Sequence, residues 1–180
     1  MVGTLVIIDM QSGFGADKIP HTTAAILREI KAAKKNKWGI VTLEYDCHGQ
    51  TIEPIKREIG RYRRFVSMEK SRDAGDREVL SAIADYSLPA DSLRVCGINA
   101  AACVAQTIRG LKAAPLYREK IVAVADGINH LSDGWIGDFV QWEKDTQFHR
   151  MKVMEAIEGY GVDIDYALPT RLDYAAALVA

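Results

Sequence analysis

The chain has 180 residues, 48% hydrophobic and 26% charged, with 23 basic against 24 acidic side chains and a formal charge of -1. That is enough for one domain with a sizeable core and too little for two comfortable ones. The even charge balance leaves no electrostatic footprint for nucleic acid or an anionic membrane, and no apolar run approaches the roughly 18 residues of a membrane span.

The opening MVGTLVIIDM lacks the basic flank and small-residue cleavage site of a secretory signal, so a cytoplasmic location is expected. Leu5–Ile8 is a short apolar, β-branched run that predicts a strand buried on both faces. Asp9 closes it, with Gln11 and Phe14 soon after. Taken alone, Asp9 suits a turn former as well as a buried carboxylate that handles protons. A helix follows, with Ile26, Leu27, Ile30 and Ala33 on one face. It ends in KAAKKNK (Lys31–Lys37), where positive charge complements the helix dipole.

Gly39–Leu43 predicts the second strand, followed by Tyr45, Asp46, Cys47 and His48. The basic cluster RYRR (Arg61–Arg64) reads as a solvated surface, or as an attractor for a carboxylate-bearing substrate. Phe65–Met68 predicts the third strand, with Lys70 just beyond it. Val79, Leu80, Ile83 and Ala84 form the face of a second helix. Leu93–Ile98 predicts the fourth strand, and Val104, Thr107, Ile108 and Leu111 a third helix. Ile121–Ala125 predicts the fifth strand, after which the pattern weakens. Residues Val140–Ile157 suit an amphipathic helix, and Gly159–Ala180 reads as a loop with at most a short helix.

This alternation implies βαβ units with right-handed crossovers, hence a three-layer α/β/α fold around a mainly parallel, Rossmann-like sheet. In such sheets the ligand crevice lies beyond the carboxyl ends of the strands, where strand order reverses. Asp9, Asp46, His48, Lys70 and Cys103 all fall at that edge. The three cysteines, Cys47, Cys96 and Cys103, are odd in number and have no CxxC spacing, which argues against disulfides and a structural zinc site. Cys96 lies inside a strand and reads as core. Cys103 opens a helix, where the dipole and free amides lower a thiol pKa from about 8.5, so it is either a nucleophile or a small buried filler.

The runs LVIIDMQSGF, FVSMEKSRDAGDREVLSAI, LRVCGINAAACVAQTIRGL and VAVADGIN, in that order over Leu5 to about Asn129, resemble the isochorismatase-like cysteine hydrolase superfamily. That superfamily includes nicotinamidases, carbamoylsarcosine amidases and ureidoacrylate hydrolases. The Gly-Ile-x-x-x-x-Cys-Val element, Gly97–Val104, is the most specific part of the likeness. The resemblance implies strand order 3-2-1-4-5-6 and a catalytic set of Asp9 as proton carrier, Lys70 as electrostatic partner and Cys103 as thiolate nucleophile. It also implies a cis peptide between Ile98 and Asn99, with the amides of Asn99 and Cys103 as oxyanion donors. Lys70 must then reach inward about 10 Å, across one intervening strand.

One domain over residues 1–180 is expected, divergent from about residue 158, acting on a small-molecule substrate and assembling as a dimer or tetramer. Phe14, Tyr45, His48 and Trp135 are the substrate-pocket candidates. No cofactor is expected. Asp46 and His48 keep part of a metal motif found in nicotinamidases, but the next histidine is His130, and a carboxylate with one imidazole is a thin site. Ala100 and Ala101 stand where the family often has threonine and aspartate, and Gly13 where it often has aspartate. The expected activity is therefore hydrolysis of a small amide, carbamoyl or related carbonyl compound through an acyl-enzyme. The alternative is a binding or interaction protein that keeps the fold without the reaction. A nucleotide-binding flavodoxin-like domain fits less well, because QSGFG is a poor phosphate loop.

Overall fold

The first strand, β1 (Thr4–Ile8), has all five residues buried, as an unalternated TLVII run requires when helices cover both faces of a sheet. The computed structural model, which describes residues 2–114, 120–129 and 152–165, places β1 at the centre of the sheet. Around it lie β2 (Gly39–Tyr45), β3 (Phe65–Lys70), β4 (Ser92–Gly97), β5 (Lys120–Ile128) and β6 (Asp163–Asp165). The six strands are ordered β3-β2-β1-β4-β5-β6 with every pairing parallel, so the expected three-layer α/β/α architecture and strand order are both present.

The helices α1 (Pro20–Lys35), α2 (Glu53–Ile59), α3 (Asp76–Asp85) and α4 (Ala105–Ala113) lie between successive strands from β1 to β5. Pro20 starts α1, where its missing N–H costs nothing, and Lys34 and Lys35 close it against the dipole. The α1 face is buried through Ala25, Ile26, Ile30 and Ala33, and that of α4 through Thr107, Ile108 and Leu111. In α3 the buried pair is Val79 and Ala82, while Ala84 is exposed, a correction of one position to the expected face.

Two elements were not expected. The seven-residue α2 buries only Ile55 and Ile59, too few positions to show a helical period. The strand β6 falls inside the segment read as loop. It pairs Val122 with Asp163 and Val124 with Asp165, and Arg94 on β4 ties it down through Asp165 at 2.6 Å while gripping Glu29 of α1 at 2.6 and 3.0 Å. An Asp-Ile-Asp strand carries no propensity signal and forms through these tertiary contacts. Residues 152–158 are helical and overlap the end of the expected Val140–Ile157 helix, running one residue past it; the expected beginning lies outside the described residues. Among the described residues no helix is long and apolar enough to cross a membrane.

The chain moves outward from β1 to β3 on one side and then returns to lay β4 on the other side of β1, so the topological switch falls between the carboxyl ends of β1 and β4. Gly97 ends β4 there, beside Ile8, with φ +122°. A Cβ on Gly97 would lie 2.1 Å from the Ile8 carbonyl oxygen, so only glycine lets the two strands close. Gly97→Ala is expected to cost about 2 kcal/mol or more, since it adds a backbone clash to an unfavourable φ. A urea titration showing an unchanged midpoint would contradict that close approach.

Candidate active site

At the switch point the backbone leaves β1 through Asp9 with φ 51°, a left-handed turn that aspartate tolerates better than most residues. Its N–H donates to the Leu43 carbonyl at 2.9 Å. Asp9 is thus a turn former through its backbone, and its side chain is fully buried.

Lys70, the last residue of β3, lies beside Tyr45 at the end of β2. Its side chain passes over the Tyr45 ring, with Nζ 4.3 Å from the ring centroid, and reaches Asp9 Oδ2 at 2.9 Å. The ammonium also donates to the carbonyls of Arg72 at 3.0 Å and Asp73 at 3.2 Å. Two carbonyls and one carboxylate oxygen thus surround a charge with no side-chain exposure.

Beyond Gly97 the Ile98–Asn99 peptide is cis. The Ile98 N–H donates to the Ile8 carbonyl at 2.9 Å, and Ala100 donates to Asn129 at 2.9 Å. A wide turn, Ala100–Val104, then leads into α4 and carries the buried Cys103. The thiol lies near Asp9 and the Asn99 backbone, both of which act on its ionisation. Burial raises the Asp9 pKa above its ordinary value, opposed by the Cys103 thiol and Lys70. Burial also pushes the Cys103 thiol up to about 12, aided by the neighbouring Asp9 carboxylate and opposed by Lys70. This corrects the sequence expectation of an acidified helix-terminal thiol: desolvation and an adjacent anion outweigh the helix terminus.

Of the pocket candidates, Phe14, Tyr45 and His48 come together. Phe14 and His48 stack with centroids 4.1 Å apart, and Tyr45 stands edge-on to both, at 5.9 and 5.3 Å. Trp135 lies outside the described residues. Gln11, which the sequence reading left without a role, is the hidden organiser of this wall. Fully buried, its side chain accepts from the Tyr45 N–H at 2.7 Å and donates to the Tyr45 carbonyl at 2.9 Å and to the Gly49 carbonyl. Gly13 sits beneath His48, and a Cβ there would lie 2.6 Å from the His48 carbonyl oxygen.

Asp46 and His48 are both engaged within their own loop. The Asp46 Oδ1 atom accepts from the Cys47 thiol at 2.9 Å, His48 Nδ1 bonds to the Asp46 carbonyl at 2.7 Å, and no third ligand joins them among the described residues. The basic run Arg61–Arg64 precedes β3 and borders a hollow with Lys37, which precedes β2. It is therefore at the opposite edge of the sheet from Lys70 and is not poised to steer a substrate to Asp9.

No family model matches the chain, and no curated protein matches it by sequence. Solved structures do match it by shape. A nicotinamidase from Staphylococcus aureus aligns with TM-score 0.68 at 14% identity over 91% of this chain and 98% of its own. An isochorismatase from Pseudomonas putida aligns with TM-score 0.64 at 18% identity over 90% and 86%. The chain has the isochorismatase-like fold. A ribonuclease from Caenorhabditis elegans shares it as well, with TM-score 0.64 at 17% identity over 99% of this chain and 80% of its own. An isochorismatase-like fold therefore does not fix a substrate.

Two outcomes are expected. Gly13→Ala should displace the His48 backbone and break its stacking on Phe14, visible as a changed His48 ring resonance with little change in far-ultraviolet circular dichroism. The second concerns pH. Because the folded chain keeps the Cys103 proton up to about 12, against 9.0 for an ordinary thiol, it binds more protons than the unfolded chain between those values. Stability is therefore lost as pH rises through that window, and the urea midpoint of the wild type should fall more between pH 9 and 11 than that of Cys103→Ser. Parallel profiles would rule out the raised thiol.

Proposed function

We propose that this chain is a cysteine hydrolase that cleaves the C–N bond of a small amide, carbamoyl or related carbonyl compound. The observation that carries this reading is the Lys70 ammonium 2.9 Å from the buried Asp9 carboxylate, with the Cys103 thiol against that same carboxylate at the switch point of the sheet. A buried charge pair with a nucleophilic atom beside it is costly as scaffolding and useful as chemistry.

In this mechanism the resting thiol keeps its proton. As sulfur attacks the carbonyl carbon, the S–C bond forms and the proton passes from sulfur to Asp9. The carbonyl π electrons move to oxygen, where the backbone N–H groups of Asn99 and Cys103 receive the charge. Such donors are worth about 3 to 4 kcal/mol each in comparable acyl-transfer sites. Collapse breaks the C–N bond, and Asp9 returns the proton to the departing nitrogen. Water then attacks the thioester, giving one proton to Asp9, and the released thiolate takes it back. Lys70 holds Asp9 in place and offsets its charge throughout. The wall of Phe14, Tyr45 and His48 borders the substrate, and one domain assembled as a homo-oligomer completes the reading.

The test is a split between turnover and reactivity. Asp9→Asn removes the anion that raises the thiol pKa and leaves Lys70 to lower it, so iodoacetamide should modify Cys103 faster at pH 7. The same variant loses the proton carrier, and release of amine or ammonia from a panel of small amides should drop about 10²- to 10⁴-fold. Cys103→Ser should abolish both. Hydrolysis that survives in Cys103→Ser, or a Cys103 that never forms an adduct, would overturn the proposal. Ligand-induced stabilisation persisting in Cys103→Ser without turnover in the wild type would instead favour a binding protein.

A further inference from the structure

The carboxylate of Asp73 has no part in the mechanism above, yet its Oδ1 lies 4.0 Å from the Cys103 sulfur, within reach of an S–H donor. Lys70 brings it there. By taking the backbone carbonyls of both Arg72 and Asp73, the buried ammonium wraps the segment after β3 around itself and sets Asp73 over the nucleophile. Unlike Asp9, Asp73 is exposed.

The charges near the sulfur do not cancel. Asp9 and Lys70 neutralise each other at 2.9 Å. The Arg72 guanidinium, one residue from Asp73, is held by Asp76 at 3.3 Å and Glu78 at 3.6 Å. Asp73 makes no ion pair among the described residues, so the charge it places beside the thiol is not offset by a salt bridge. A carbonyl carbon under attack lies about 3 to 3.5 Å from the sulfur, so its substituents fall within a few ångströms of Asp73. At that range a carboxylate attracts a cation or an N–H donor and repels an anion.

Resting on the reading of Cys103 as nucleophile, we propose that Asp73 is the specificity-determining residue of this site. It selects amides or carbamoyl compounds that carry an ammonium, an amidinium or a urea-type N–H within two or three bonds of the scissile carbonyl. It excludes substrates with a carboxylate at that position.

The experiment requires no known substrate. In a Cys47→Ser background, which removes the exposed thiol, Cys103 is alkylated with 2-bromoethylamine, iodoacetamide and iodoacetate, and second-order rates are read by mass spectrometry of the modified peptide. Asp73→Asn, an isosteric change at an exposed position, should lower the cationic-to-anionic rate ratio about tenfold, the size expected of a partly exposed charge at this range. Any general shift in thiol reactivity moves all three rates together and cancels in the ratio. A ratio unchanged within twofold overturns the role of Asp73 while leaving the hydrolase reading intact. Amide hydrolysis that survives in Cys103→Ser overturns the hydrolase reading, and this inference with it.

Discussion

Everything at this site depends on a charge pair that the fold had no need to bury. Asp9 and Lys70 come from strands that are not neighbours, and the lysine must cross β2 and the Tyr45 ring to close a 2.9 Å contact with almost no solvent access. Desolvating two ions costs several kcal/mol apiece, a cost that mutual attraction often only matches, whereas removing one partner costs about 3 to 5 kcal/mol. Such a pair is a poor stabiliser and a strong constraint. It fixes the approach of β3, wraps residues Arg72 and Asp73 around the ammonium, and holds an anion against Cys103.

Burial and that anion together set the state of the thiol. A helix terminus alone lowers a cysteine pKa, but here the sulfur is buried, faces a carboxylate and lies in a wide turn ahead of α4 rather than at its first residue. In the proposed mechanism the sulfur keeps its proton until a carbonyl arrives. A permanently exposed thiolate reacts with any passing electrophile or oxidant, while a protonated thiol beside a base is activated only when attack and proton transfer occur together. The high thiol pKa is thus compatible with a nucleophile and adds selectivity to it.

The parts legible in the sequence were those with a strong local signature. The apolar runs at Leu5–Ile8 and Leu93–Ile98 are too long and unalternated for anything but covered parallel strands, and they carry Asp9 and the Gly97–Val104 element to one edge. Residues whose role depends on distant partners were illegible. Gln11 differs from any surface glutamine only through its bonds to Tyr45 and Gly49, and Asp73 from any loop aspartate only because Lys70 takes its carbonyl. The strand β6 exists through Arg94 and the edge of β5, neither of which Asp-Ile-Asp announces.

Gly13 shows how one small residue reorganises a whole wall. Read along the chain it was only a missing aspartate. In the fold it lets the loop after β2 descend, its N–H donating to the His48 carbonyl at 3.2 Å, and that descent lays the His48 ring flat on Phe14. The ring is then one panel of an aromatic surface, with Tyr45 edge-on and Gln11 locking the strand end behind it. An aspartate at position 13 would collide with the His48 backbone and raise the loop. The exchange that removes a polar contact therefore creates an apolar one. The site pairs a flat face that suits a planar carbonyl compound with Asp73, a charge that suits a cationic or N–H-bearing substituent.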